Sequence, residues 1–304
     1  MINIVGHKNP DTDSICSALA YADFLKEGGL KAQAWALGDP NKETKFVLDY
    51  FRMAVPKIIQ ALPPSSRVVL VDHNERGQAI DNLEELELQE IIDHHKVNLQ
   101  TEKPIEICVR PWGSTCSIIA DRYQQTGKKP QRSIAGLLIA GIISDTLFFR
   151  SPTTTDYDRR LVENLNQIVG IDDLEKFSLD MFEAKSDLGD LSTEELIKLD
   201  YKEFDFKDGR YGIGVMETTN VDYGLSRLLE IQEKLKEIRR KENLKAVYFV
   251  IVDILRQQAY VISSDEEAER LFKRLFSARE KSGVLFVDKL VSRKKQIVPI
   301  FEGM

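Results

Sequence analysis

At 304 residues with 42% hydrophobic side chains, the chain has material for one large or two medium buried cores and reads as an ordinary globular protein. Its net charge of -7 excludes the general basic face that nucleic-acid binders carry, so no nucleic-acid partner is expected and an anionic ligand must be met by a local group of cations. The longest apolar run, "IAGLLIAGII" at Ile134–Ile143, is about half of the ~20 residues that cross a bilayer, which argues against a membrane role.

The opening "MINIVGHKNPDTDSICSALAYADFLKEGG" predicts a short apolar strand, a polar loop, and a helix with apolar positions at Ile15, Ala18, Leu19, Ala22 and Leu25 that stops at Gly28 and Gly29. The helix start near Ser14 offers backbone N–H groups to a phosphate, or else is an ordinary cap formed by Asp13 or Ser14. Two fully buried strands are expected, "RVVLV" followed by "DHNE", and "EII" at Glu90–Ile92 followed by "DHH". "GSTCSII" places Gly113, Ser114 and Thr115 as an N-cap before an apolar helix. "SIAGLLIAGIIS" is apolar all round, which predicts a buried helix, and it runs into Asp145 and a turn-forming "RSPTTTDYD" loop that seats this acid. Strands alternating with helices predict a mainly parallel sheet flanked by helices, with ligands at the carboxyl ends of the strands.

Polar residues after the helical pattern ending near Ser186 predict a hinge linker at 188–192, between a first domain at 1–187 and a smaller α/β domain at 193–304. The second domain is expected to hold the strands "RYGIGVMET", "KAVYFVIVDIL" and "QAYVIS" and the charged helix "LSRLLEIQEKLKEIRRKENL" around a mixed sheet. Three cysteines, Cys16, Cys108 and Cys116, form no CxxC pair and follow no recognisable signal segment, so the expected setting is a reducing cytoplasm with the thiols in the core.

All four histidines fall in three short acidic segments that follow strands. With the acids they define one candidate set: His7, Asp11 and Asp13; Asp72 and His73; Asp93, His94 and His95; and Asp145. Carboxylates gathered at one sheet edge repel each other unless cations sit among them. Imidazoles with carboxylates, and no thiolate motif, suit a metal of octahedral habit such as Mn²⁺ ahead of structural zinc. The ligand number suffices for two ions that clamp a phosphoryl group.

In this order "GHKNPDTDSICSA", "DHNE", "DHH" and "ISDTLFFRSPTTT" resemble the DHH phosphoesterase superfamily. With "LDYKEF" and "SRKKQIVP", the chain resembles the family II, manganese-dependent inorganic pyrophosphatases over nearly its whole length. The resemblance implies hydrolysis of pyrophosphate to two phosphates, with a metal-bridging hydroxide as nucleophile. Two Mn²⁺ are implied, with Co²⁺ as an alternative and Mg²⁺ accompanying the substrate. His7 and Asp11 would bind one metal, Asp13 and His94 the other, and Asp72 and Asp145 both. His95, Lys202, Arg293 and Lys294 would take the substrate phosphates and form the catalytic group beside the metals, while Asp93 would orient its neighbours. The same resemblance implies a hinged active site and a homodimer formed through the N-terminal domain. A short-chain exopolyphosphatase would use the same ligands. A DHH oligonucleotide phosphodiesterase would carry a further histidine in its second domain, and no histidine follows His95. A catalytically silent phosphate sensor would share the fold but has no need of an intact ligand set.

Overall fold

The computed structural model describes residues 1–186, 189, 191–281 and 283–304, and the chain divides into two compact units, Met1–Ala184 and Lys185–Met304. Residues 188 and 190 of the expected linker lie outside the described residues.

In the first unit, β1 (Ile2–Val5) leads into α1 (Thr12–Glu27), then β2 (Ala32–Trp35), α2 (Lys42–Tyr50), β3 (Arg67–Val71), β4 (Glu87–Asp93) and β5 (Glu106–Val109). All five strands run parallel in the order β2-β1-β3-β4-β5. "RVVLV" forms β3, whose four apolar residues are buried on both faces, with Val68 and Leu70 packing against Val5, Ile80 and Ile91. The expected strand at Glu90–Ile92 is the buried half of the longer β4, whose first three residues keep solvent exposure. Helices α3 (Thr115–Gln125), α4 (Arg132–Thr146), α5 (Asp156–Val169) and α6 (Leu174–Ser186) follow. α4 is buried along Ile134–Ile143 and packs against α1, α3 and α5, which accounts for its apolar character all round. α5 is amphipathic instead, burying Leu161, Val162, Leu165 and Val169 at helical spacing. Cys16 and Cys116 lie in the core as expected, whereas Cys108 sits half-buried on the edge strand β5.

The second unit contains α7 (Thr193–Lys198), β6 (Tyr201–Phe206), β7 (Gly209–Thr218), α8 (Asp222–Leu225), α9 (Leu228–Lys241), β8 (Ala246–Asp253), β9 (Gln258–Ser263), α10 (Glu266–Phe276), β10 (Arg279–Lys281), β11 (Val284–Asp288) and α11 (Val298–Glu302). Its sheet is mixed, ordered β10-β11-β9-β8-β7-β6, with β7 and β8 parallel and the other neighbours antiparallel. Every residue of β8 is buried, and the strand reads as an apolar run from Ala246 to Val252 that ends in the buried Asp253. The charged helix α9 buries Ile231, Leu235 and Ile238 along one face and begins only at Leu228, because the residues before it form the separate turn of α8. Among the described residues no helix is long and apolar enough to cross a membrane.

Candidate metal centre

β2 and β3 lie on opposite sides of β1, so the sheet order reverses there, the place where sheets of this kind bind ligands, at the carboxyl ends of β1 and β3. His7 follows β1, Asp72 follows β3, and Asp93, His94 and His95 close β4 on the next strand over. The first turn of α1 adds Asp11 and Asp13, and the last turn of α4 adds Asp145.

Close approach of α1 to β1 builds the first of these segments. A Cβ on Gly6 would stand 2.0 Å from Ser14 Oγ, the atom that accepts the His7 backbone N–H at 3.0 Å. Asp11 is the N-cap of α1, accepting Ser14 N–H through Oδ1 at 2.9 Å, so neither Asp13 nor Ser14 caps the helix. Asp72 adopts left-handed backbone (φ 64°), sparsely populated by non-glycine residues, as its carboxylate turns off the end of β3.

Backbone carbonyls orient the rings. His7 Nδ1–H donates to Lys8 O at 2.8 Å and His94 Nδ1–H to Trp112 O at 3.0 Å. A carbonyl only accepts, so Nδ1 carries the proton in both rings and each Nε2 presents a lone pair in the neutral form. His7 Nε2 faces Asp11 Oδ2 at 3.5 Å and Asp72 Oδ2 at 3.4 Å. His94 Nε2 faces Asp72 Oδ1 at 3.5 Å and Asp145 Oδ2 at 3.4 Å. Asp72 thus offers one oxygen to each imidazole. Donor atoms of His7, Asp11 and Asp72 lie within 4.8 Å of one another, as do those of Asp13, Asp72, His94 and Asp145, and those of Asp72, His94 and His95. Asp72 is common to all three groupings, and Asp145 is grouped with Asp13, Asp72 and His94.

Asp13 is fully buried and held by the start of α3. Its Oδ1 accepts Ser114 Oγ–H at 2.7 Å and Cys116 N–H at 2.9 Å, and Oδ2 accepts Thr115 N–H at 2.7 Å. A carboxylate has about four lone-pair sites, so three donors leave room for a cation on Oδ2 alone. Ser114 also caps α3, as expected, by accepting Cys116 N–H. That the same turn grips Asp13 was invisible in sequence. Glu43 of α2, also fully buried, accepts from Thr12 Oγ–H at 2.9 Å and Ser144 Oγ–H at 2.8 Å. It ties the residue between Asp11 and Asp13 to the neighbour of Asp145, and no pattern in sequence marks it.

Asp93 turns inward. Its Oδ1 accepts His94 N–H at 2.7 Å, His95 N–H at 3.0 Å and His95 Nδ1–H at 2.8 Å, while Oδ2 accepts Asn74 Nδ2–H at 2.6 Å. Burial alone would raise its pKa, but the His95 and Asn74 hydrogen bonds hold it down at about 2. His95, with its side chain 39% exposed, has Nδ1 committed to Asp93 and its other nitrogen on the far side of the ring. His73 is buried with Nδ1–H on Val71 O at 2.9 Å, and burial lowers its pKa to about 4.

Burial alone would lower the pKa of His7, yet Asp11 and Asp72 together raise it well above the ordinary value. Burial and then the charge of Asp13 raise Asp72 well above the carboxylate range, ahead of the lowering hydrogen bond from His7. These shifts mark an excess of negative charge in the cluster, which divalent cations would offset. The donor set fits: oxygen and imidazole nitrogen only, with facing separations of 3.4–3.5 Å. Ligands at ~2.1 Å around an octahedral ion stand about 3 Å apart. The buried thiols of Cys16 and Cys116 are raised well above their ordinary pKa by burial first, so neither offers a thiolate.

In the second unit, Lys202 is exposed on β6, opposite Ile213 of β7. Arg293 opens a π-helical turn, Arg293–Ile297, and its Nη1–H groups donate to Asp200 O at 2.6 Å and Ile213 O at 3.0 Å. Its Nη2–H bonds the Asp200 carboxylate, so Arg293 and Lys202 share one corner of this sheet. Lys294 is exposed on the same turn.

Residues 1–142 match the DHH family, N-terminal domain, and residues 179–304 match the DHHA2 domain. With the strand-end acids and histidines, these matches define a DHH-type phosphoesterase. A Methanocaldococcus jannaschii protein named manganese-dependent inorganic pyrophosphatase is 40% identical, covering 98% of this chain and 97% of its own. A Clostridium acetobutylicum protein named probable manganese-dependent inorganic pyrophosphatase is 38% identical, covering 98% and 96%. The crystal structure of a putative family II inorganic pyrophosphatase from Methanococcus jannaschii superposes with a TM-score of 0.84 at 38% identity, covering 100% of this chain and 99% of its own. The chain belongs to the manganese-dependent, family II inorganic pyrophosphatases.

Proposed function

We propose that the chain hydrolyses inorganic pyrophosphate to two phosphates at the strand-end cluster of its first unit. The observation that carries this reading is Asp72, whose two oxygens face the Nε2 atoms of two different histidines at 3.4 and 3.5 Å. A carboxylate so placed suits a pair of cations. We assign His7 and Asp11 to one Mn²⁺, Asp13 and His94 to the other, and Asp72 to both, with Asp145 as a second bridge. Co²⁺ is an alternative to Mn²⁺, and Mg²⁺ accompanies the substrate. When bound, such a pair supplies Lewis acidity and acidifies water at neutral pH.

His95, anchored through Nδ1–H on Asp93, has Nε2 left to hydrogen-bond a phosphate oxygen or hold a proton there. Lys202, Arg293 and Lys294 make the second unit the substrate-gripping domain, neutralising the leaving phosphate. With its Nη1–H groups and one Nη2–H committed, Arg293 has the Nε–H edge for a bidentate phosphate contact, and the two lysines act as point charges. A cytoplasmic homodimer joined through the first unit belongs to the same proposal.

The test is phosphate release from pyrophosphate by chelator-stripped protein, with and without added Mn²⁺. Metal-dependent release that is lost in Asp72→Ala is the expected result, and no release in the presence of Mn²⁺ refutes the reading. Faster release from triphosphate would instead make the chain a short-chain polyphosphatase.

A further inference from the structure

The start of α3 lies between two buried carboxylates from distant parts of the first unit. On one side Asp13 takes Ser114 Oγ–H, Thr115 N–H and Cys116 N–H. On the other, Asp158 of α5 accepts Gly113 N–H at 3.1 Å, Ser117 Oγ–H at 2.5 Å, and Thr155 N–H and Oγ–H at 2.7 Å each. A Cβ on Gly113 would stand 2.5 Å from Thr146 Cγ2 and 2.8 Å from Asp158 Oδ2, so the turn accepts glycine there and little else. The helix start is thereby fixed from behind while it grips Asp13 in front.

Within this turn Thr115 alone reaches two members of the acid cluster. Its backbone N–H donates to Asp13 Oδ2 at 2.7 Å and its Oγ1–H to Asp72 Oδ1 at 3.0 Å, and the residue is fully buried. These are the oxygen that Asp13 keeps for a cation and the oxygen that Asp72 turns toward His94. Both bonds leave one residue, so Thr115 sets the distance between the two carboxylates by its own covalent geometry.

We propose that Thr115 is a positioning residue that clamps Asp13 to Asp72 and thereby sets the spacing of the two metal ions. This rests on the dinuclear reading above. Hydrogen bonds behind metal ligands are worth about 10- to 100-fold in metal affinity.

The experiment titrates chelator-stripped protein with Mn²⁺ by calorimetry and follows the spin coupling of the ions by electron paramagnetic resonance, without substrate. Wild type is expected to bind two ions with a coupled spectrum. Thr115→Val keeps the backbone donor and the shape but loses the hydroxyl. It should bind one ion about 10- to 100-fold more weakly and shift toward the spectrum of isolated Mn²⁺, while Thr115→Ser retains both wild-type properties. Thr115→Ala, which removes the same hydroxyl without branching, is held to the same outcome should the valine variant not fold. Wild-type affinity and coupling in a folded hydroxyl-free variant overturn the clamp and leave the dinuclear reading standing. A single ion bound by wild type overturns the dinuclear reading, and the clamp with it.

Discussion

Asp158→Ala should destabilise the first unit severely although Asp158 touches none of the proposed metal ligands. Its carboxylate is fully buried, serves the capping box of α5, and accepts from Gly113, Ser117 and Thr155. Alanine would leave the Gly113 N–H and the Ser117 hydroxyl buried without an acceptor, since both residues are buried. A hydrogen bond to a charged group is worth about 1.5–3 kcal/mol, and such bonds do not add fully, so the expected loss is about 3–5 kcal/mol. Both tryptophans, Trp35 and Trp112, lie in the first unit, so fluorescence follows its urea unfolding apart from that of the second. With a denaturant slope of ~2–3 kcal/mol per M, the midpoint should fall by about 1–2 M. A fall smaller than ~0.3 M would mean that Asp158 does not anchor α3.

Gly6→Ala should cost about 1–3 kcal/mol by overpacking and weaken Mn²⁺ binding, because the new Cβ would displace the Ser14 hydroxyl that holds the His7 backbone; calorimetry with Mn²⁺ reads both effects out. Asp200→Ala removes the carboxylate that orients Arg293, so KM for pyrophosphate should rise several-fold with Mn²⁺ affinity unchanged, and an unchanged KM would sever Arg293 from substrate binding. Metal-stripped protein should grow more stable as pH falls from 9 to 7. The raised pKa of His7 gives stability that is complete below ~6.5 and is lost as pH rises through its folded value, the raised Asp72 has the same sign, and the opposing His73 acts only below ~6.5. Mn²⁺ competes with those protons and should reverse the trend, so a thermal midpoint of the stripped protein that falls over this range would contradict the assignment.

Segments buried on both sides were the legible ones. β3, β8, β9 and α4 bury nearly every residue, and each stands out as an apolar run whatever its neighbours do. β2 and β5 lacked such a signal, because each is a four-residue strand at an edge of the sheet with part of its surface exposed. The strand-end acids and histidines were legible because a parallel sheet collects its loops at one edge. Their supports were not. Ser114 and Thr115 before an apolar helix look the same in sequence whether they cap that helix alone or also grip Asp13, which is 101 residues from Ser114. The same holds for "NPDTDS" before α1, where Asp13 or Ser14 was the expected cap and the structure puts Asp11 there instead.

The adjacent histidines of "IIDHHK" show how such support divides labour. His94 sends Nδ1–H to the Trp112 carbonyl and keeps Nε2 within the acid cluster, while His95, its ring nearly perpendicular at 76°, sends Nδ1–H to Asp93. Asp93 also accepts both backbone N–H groups of the pair, so one carboxylate holds the main chain that splays the rings apart. Every anchor in this arrangement is a hydrogen bond internal to the first unit, and Asp13, His7 and His94 are held in the same way. Ligands already oriented need no ordering when a cation arrives, so the binding energy goes into discrimination by ion size and donor preference. In the proposed hydrolysis the exposed lysines, Lys202 and Lys294, act as point charges toward a substrate whose charge and position change as the phosphates part.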